Sequence, residues 1–252
     1  AIHIHMKNKI LLPFILVLLS TSCVQKQWII SESTSVKIPI DSTADKIADK
    51  AYTEWLQPYK QKVDAQMNEV IGYSAVTMRV HKPESLLSNF SADVYLKAAS
   101  DYMKMPVDIA IVNLGGLRTQ VPEGDITVRK VFELMPFENE LVVLWLRGDK
   151  LLDLLNGFAA VGGQGVAGLR MTIQDGKATD ITIGGKALDP QKLYSIATND
   201  YLAGGNDNMP QLAMHEKRQN TSLKVRNVLL GFIKAETAAG RKIESRLDGR
   251  IR

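Results

Sequence analysis

Apolar positions recur along this chain with two periods, and the alternation between them gives the first outline of a fold. Leu87, Phe90, Val94, Tyr95, Ala98, Ala99 and Tyr102 follow the three-to-four spacing of one helix face, which predicts a helix over 84–103 ending before Pro106. Residues 107–112 predict a buried strand that delivers Asn113, Gly115 and Gly116 at its C-terminal end. Thr127 has the chemistry of a cap for a short helix through Leu134. A strand over 140–147 and a leucine-rich helix over 149–156 follow. Across 168–188 the period shortens to strands broken at Asp175-Gly176 and Gly184-Gly185, two strong hairpin signals. A strand over 192–198 and a closing helix over about 222–238 complete this part. Upstream, 38–56 predicts a helix, a second helix runs from Pro58 to about residue 70, and 73–80 predicts a strand. Helices and strands intermix without a regular βαβ repeat, so the fold class is α+β.

The start of the chain has a different character. Met6 is followed by Lys7, Asn8 and Lys9, then by an apolar run over 10–19, then by Ser20, Thr21, Ser22 and Cys23. This pattern predicts a secretory signal over residues 1–22, with an upstream remnant ahead of Met6. The apolar run is shorter than the roughly 20 residues that a spanning helix needs. Cys23 is the only cysteine of the chain, which excludes an internal disulfide, and it resembles the lipid-attachment cysteine of a bacterial lipoprotein, with Ser20 where leucine is usual. The expectation is an exported lipoprotein of the bacterial cell envelope, on the periplasmic or the outer-membrane face. Residues 23–35 would be its lipid-anchored tether and 36–252 its domain.

Charge narrows the partners. The whole chain carries 31 basic and 27 acidic side chains, but Lys7 and Lys9 fall within the signal, which leaves 29 against 27. Near-neutrality without a basic run argues against nucleic acid.

Candidate chemistry gathers in two stretches. Arg118 stands beside Gly115 and Gly116, where backbone can approach a ligand closely, and Phe137 stands in the turn Pro136-Phe137-Glu138-Asn139. A guanidinium fork and a flat apolar face suit a phosphorylated, ring-bearing molecule. Taken singly, Phe137 reads as a core aromatic, Arg118 as a surface ion-pair partner and Asp207 as a loop cap. Arg147-Gly148-Asp149 spells an adhesion tripeptide that a strand-turn-helix junction explains fully. Residues 162–165 read as a flexible glycine-rich connector.

Together, Asn113-x-Gly115-Gly116-x-Arg118, Pro136-Phe137-x-Asn139 and the run Tyr201-Leu202-Ala203-Gly204-Gly205-Asn206-Asp207 resemble, in order, the signature stretches of the C-terminal, substrate-specificity domain of the 5'-nucleotidase family, which includes bacterial UDP-sugar hydrolases. The resemblance runs from about Val36 to the end and implies layered mixed sheets flanked by helices. It also implies a nucleotide pocket in which Asn113 touches the base, Arg118 a phosphate, and Asp207 the ribose hydroxyls. Phe137 and Tyr201 would sandwich the ring, with Gly116 and Asn139 completing the site. Three departures stand out. His81-Lys82-Pro83 replaces an arginine-containing stretch, so one phosphate contact is either missing or supplied by Lys82. Asn206 separates the glycine pair from Asp207, and Tyr201 replaces phenylalanine.

Members of that family hydrolyse phosphate esters with a two-metal centre in a separate N-terminal domain. After Cys23 this chain has only His81 and His215, too few for such a centre, and residues 24–35 are too few to form that domain. No Gly-x-Ser-x-Gly elbow or phosphate-cradling Gly-x-x-x-x-Gly-Lys loop takes its place. The resemblance therefore implies no catalytic residue and no cofactor in this chain. It implies instead a separate metallophosphoesterase subunit that carries the divalent metals, with this chain as the nucleotide-recognition subunit of a split 5'-nucleotidase. The alternative is a binding-only or structural envelope lipoprotein that keeps the fold without a hydrolytic role.

Overall fold

The computed structural model describes residues 28–39, 41 and 49–252. Cys23 and the signal sequence lie outside the described residues, as do 40 and 42–48, on which part of the first expected helix falls. The chain divides into two units, Ala1–Thr53 and Glu54–Arg252. In the first, residues 28–39 have no regular secondary structure and are exposed.

Helix α1 (Lys50–Met67) is one helix where two were expected, running through Pro58. Proline removes one helical hydrogen bond at a cost of about 3 kcal/mol. Leu56, Gln57, Lys60, Gln61 and Lys62 around it are good helix formers and offset part of that. No helix among the described residues is long and apolar enough to cross a membrane.

A five-stranded sheet organises the second unit. Its order is β10 (Lys217–Lys224), β4 (Glu140–Arg147), β9 (Leu193–Asn199), β2 (Ile109–Val112) and β5 (Gly165–Ala167). Only β2 and β9 pair in parallel. Because side chains alternate across a strand, each central strand feeds two cores. Ala110, Val112, Leu141, Val143 and Ala197 join one, while Ile109, Ile111, Val142, Leu144 and Ile196 join the other.

On the first face lie α2 (Leu86–Met103), α6 (Val225–Ala238) and the small sheet of β1 (Val70–Ser74) with β3 (Gly124–Thr127). The second face is covered by α4 (Gly148–Ala160) and the meander β6 (Leu169–Gln174), β7 (Lys177–Ile183) and β8 (Lys186–Ala187). The fold is thus α+β in layers, as expected. The short helix α3 (Val128–Leu134) starts at Thr127, whose hydroxyl accepts from the Lys130 N–H at 3.2 Å.

The expected strand over 73–80 is displaced. Pairing with β3 spans only Val70–Ser74, and Met78 meets Val121 as an isolated bridge. The closing helix begins at Val225, because the residues before it form β10.

Candidate functional site

The topology brings one end of the five-stranded sheet together. β2 and β9 are parallel, so both end there, at Val112 and Asn199; β4, antiparallel to β9, begins there, with Leu141 opposite Asn199. β5 begins there opposite Val112, and β10 ends there opposite Glu140. Every loop that carries a candidate residue leaves from this edge.

After β2 the chain makes a tight turn over Leu114–Gly116, in which Gly116 N–H donates to the Asn113 carbonyl at 3.1 Å. A Cβ on Gly116 would lie 2.8 Å from Asn113 Oδ1, so glycine here permits close packing rather than a special φ. Asn113, only 7 % exposed, is thereby held with its amide donating to Asp207 Oδ2. Tyr201 donates its hydroxyl to the other carboxylate oxygen, Asp207 Oδ1, at 2.9 Å. That hydrogen bond, then partial burial and the negative charge, raises the Tyr201 phenol above its ordinary range.

Tyr201 lies on the four-residue helix α5 (Asp200–Ala203), capped by Asn199, whose Oδ1 accepts from the Leu202 N–H at 2.8 Å. The additional Asn206 closes the loop behind it, donating from Nδ2 to the Tyr201 carbonyl at 2.7 Å. Gly205, Asp207 and Asn208 then take left-handed φ values of 84°, 54° and 59°, which these residue types tolerate best.

To the cavity that Asn113, Tyr201 and Asp207 border, the turn preceding β4 presents Phe137. Its carbonyl accepts from Arg226 Nη1 at 3.3 Å, and Glu138 pairs with Arg226 Nη2. This hydrogen bond and the guanidinium charge hold the Glu138 carboxyl below its usual range. Asn139 receives the Val225 N–H at its carbonyl and donates its side-chain amide to Asp200 Oδ1 at 2.8 Å. The two aromatic-bearing segments are therefore tied together. Phe137 is 41 % and Tyr201 44 % exposed, unusual for large aromatic surface, and among the described residues neither ring contacts another ring.

Arg118 extends along the same rim. Its Nη1 donates to the Gly115 carbonyl at 3.1 Å, and among the described residues no carboxylate lies within ion-pair distance. It is therefore not the surface ion-pair partner that it resembles in isolation.

These residues line one cavity of about 340 Å³. All seven expected site residues, Asn113, Gly116, Arg118, Phe137, Asn139, Tyr201 and Asp207, border it. So do Gly115, Met135 and Asn199, which sequence reasoning did not assign. Gly115 lies within the first motif and Met135 directly precedes the second, whereas Asn199 stands two residues ahead of the third with no signal of its own. Lys82 does not border the cavity. Its ammonium donates instead to the Val161 carbonyl, and so it does not stand in for a phosphate contact here. The glycine-rich stretch at 162–165 is not a loose connector. Gln164 Oε1 accepts from the Leu114 N–H at 3.1 Å, which anchors the turn beside the cavity, and Gly165 begins β5.

The cavity offers one unpaired cation, one carboxylate and two exposed ring faces, an arrangement suited to binding. Among the described residues, no group of three or more His, Cys, Asp or Glu side chains is placed to hold a metal ion.

Comparison with known proteins agrees with this architecture. A 5'-nucleotidase from Vibrio cholerae is 28 % identical over 206 residues, covering 78 % of this chain and 36 % of its own length. The chain thus spans little more than a third of that relative. A 5'-nucleotidase precursor from Thermus thermophilus superposes with a TM-score of 0.68 at 30 % identity, covering 79 % of this chain and 42 % of that one. The NAD nucleotidase of Haemophilus influenzae shares the fold, with a TM-score of 0.59 at 21 % identity over 81 % of this chain and 41 % of its own. The family model for the 5'-nucleotidase C-terminal domain matches residues 69–214, more than half of the chain and the whole span from the end of α1 through Asp207 to the end of the 3-10 turn over Pro210–Met214, and the chain belongs to that family.

Proposed function

We propose that this chain is the nucleotide-recognition part of a 5'-nucleotidase, acting with a metallophosphoesterase carried on a separate polypeptide. The observation that carries this reading is the convergence of Arg118, Phe137, Tyr201 and Asp207 on one cavity, in a chain of the 5'-nucleotidase C-terminal family. The volume is at the lower end of the roughly 300–1,000 Å³ typical of small-molecule sites. A base slides between the ring faces of Phe137 and Tyr201, where stacking needs no particular hydrogen-bond pattern. Asp207, fixed through both oxygens, still has lone pairs to accept from sugar hydroxyls. Arg118 meets a phosphate with the N–H groups not spent on Gly115. This chain's contribution is to bind and orient; the bound metals of the partner would activate the attacking water.

The test is reconstitution. The purified chain alone, with manganese, cobalt or zinc, releases no phosphate from AMP or UDP-glucose; adding an exported metallophosphoesterase that lacks this domain, which the proposal expects a neighbouring gene to encode, restores release, and Arg118→Ala weakens that restoration. Phosphate release by the chain alone at an enzymatic rate contradicts the division of labour. We also propose that the chain is held to the cell envelope by a lipid on Cys23. Cys23→Ser then moves it from the membrane fraction to the soluble fraction without unfolding it, and unchanged membrane partition contradicts the anchor.

A further inference from the structure

The floor beneath Phe137 contains a buried arginine that belongs to neither signature stretch. Arg226 is 7 % exposed and sits in the first turn of α6, where a cation gains nothing from the helix dipole. Its guanidinium lies over the Phe132 ring, 4.1 Å from the centroid. One arm of the fork reaches the Phe137 carbonyl at 3.3 Å and the other reaches Glu138. Nε is buried and, among the described residues, has no hydrogen-bond partner.

As packing alone this is a poor arrangement. A buried charge with one unsatisfied N–H is commonly replaced by an apolar side chain of similar volume with no loss of stability. What the fork does accomplish is local: it fixes the backbone of the turn at the residue whose ring faces the cavity. Two further contacts from the same junction hold the turn's C-terminal side. The Val225 N–H donates to the Asn139 carbonyl at 2.9 Å, and Lys224 pairs with Glu140 at 3.0 Å. Since β10 ends beside the start of β4, α6 can be entered only at this place, and its first turn is carried directly under the turn.

We infer that Arg226 is a positioning residue for ligand recognition, setting the height and tilt of the Phe137 ring through the Phe137 carbonyl and Glu138, and so the aperture available to a flat heteroaromatic ligand. The inference rests on the nucleotide reading for its ligand class, but not for its geometry. It implies that Arg226 acts through the ring and not on a phosphate, because Arg118 borders the cavity and Arg226 does not.

The experiment compares Arg226→Met and Arg226→Lys, each in the wild-type and in the Phe137→Ala background of the full chain, by calorimetric titration with AMP and with adenosine. Methionine leaves an apolar side chain beside Phe132 and removes the fork. Lysine keeps the charge but replaces the rigid planar fork, whose two arms reach the Phe137 carbonyl and Glu138 separately, with a single compact ammonium that does not reproduce that geometry. Both variants are expected to weaken AMP and adenosine alike, by about 3- to 10-fold, a part of what a stacked ring supplies. In the Phe137→Ala background neither should have a further effect. Equal weakening in both backgrounds means a merely structural role and overturns the inference, as does a loss confined to AMP. If Arg226→Met does not fold, Arg226→Lys carries the same comparison. A ligand-free arm uses fluorophenylalanine-labelled protein, with the Phe137 resonance assigned among the six phenylalanines by Phe137→Leu. That resonance should shift or broaden in Arg226→Lys, and an unchanged line overturns the inference. Should the wild type bind neither AMP nor adenosine, the nucleotide reading fails, and the resonance alone decides whether Arg226 positions the ring.

Discussion

Replacing Arg118 with alanine separates binding from folding with unusual clarity. The side chain is exposed, has no carboxylate partner among the described residues and makes one internal hydrogen bond, to the Gly115 carbonyl. The 3.0 Å bond from its backbone N–H to the Leu134 carbonyl survives the substitution. The change in stability should therefore stay within about 0.5 kcal/mol, as for ordinary surface positions. A guanidinium has five N–H donors, and one is spent on Gly115, which leaves a free edge for a phosphate. A charge-assisted hydrogen bond of this kind is worth about 1.5–3 kcal/mol. Exposure places Arg118 at the low end, so AMP should bind roughly tenfold more weakly to Arg118→Ala. Adenosine has no phosphate and should bind both proteins alike. Raising the salt concentration should narrow the difference for AMP, because the pair is accessible to solvent ions. Isothermal titration of both ligands at two ionic strengths measures all of this in one series. A loss of adenosine affinity equal to that of AMP would refute the phosphate role, and so would unchanged AMP affinity.

Other consequences follow from the same geometry. Phe137→Ala and Tyr201→Ala should each weaken AMP and adenosine alike, by about 1–3 kcal/mol, and their effects should be non-additive in a double-mutant cycle if the rings hold one base between them; strict additivity would show that they do not. Gly116→Ala forces a Cβ against Asn113 Oδ1 and should lower the denaturant midpoint by an overpacking cost of about 1–3 kcal/mol while weakening adenosine as well as AMP. Tyr201 should titrate above an ordinary tyrosine in the folded protein, because Asp207 favours the protonated phenol. Its folded value is raised relative to the unfolded chain, so the stability it contributes is present below the ordinary tyrosine range and disappears as pH rises through the raised value. The phenolate absorbance difference between wild type and Tyr201→Phe isolates this group, and Asp207→Asn should return it toward the ordinary range.

Much of this was legible where local chemistry and long-range packing agree. The strand at 140–147 is legible with its limits intact, because a run buried on both sides leaves little room for another period. Asp175-Gly176 and Gly184-Gly185 take the positive φ values that their hairpins require. Ser85 caps α2 by accepting from the Ser88 N–H, one residue into the expected span. The illegible parts are those whose structure depends on distant partners. β10 reads Lys-Arg-Gln-Asn-Thr-Ser-Leu-Lys, without alternation, because it is an edge strand and only Thr221 is buried. The candidate residues could be gathered through motif order, but Arg226 has no local signal at all. A lone arginine ahead of a helical apolar face reads as a solvated cation, and only the pairing of β10 with β4 brings it under Phe137.

The central claim, that the cavity at the end of the five-stranded sheet recognises nucleotides, is tested most directly by titrating the full chain with AMP and comparing it with the double variant Phe137→Ala/Tyr201→Ala, both checked for folding by circular dichroism. The account predicts saturable one-to-one binding to the wild type and its loss in the double variant. Binding that persists undiminished without the two rings, or a folded wild type that takes up neither AMP nor UDP-glucose with or without its phosphoesterase partner, would contradict it.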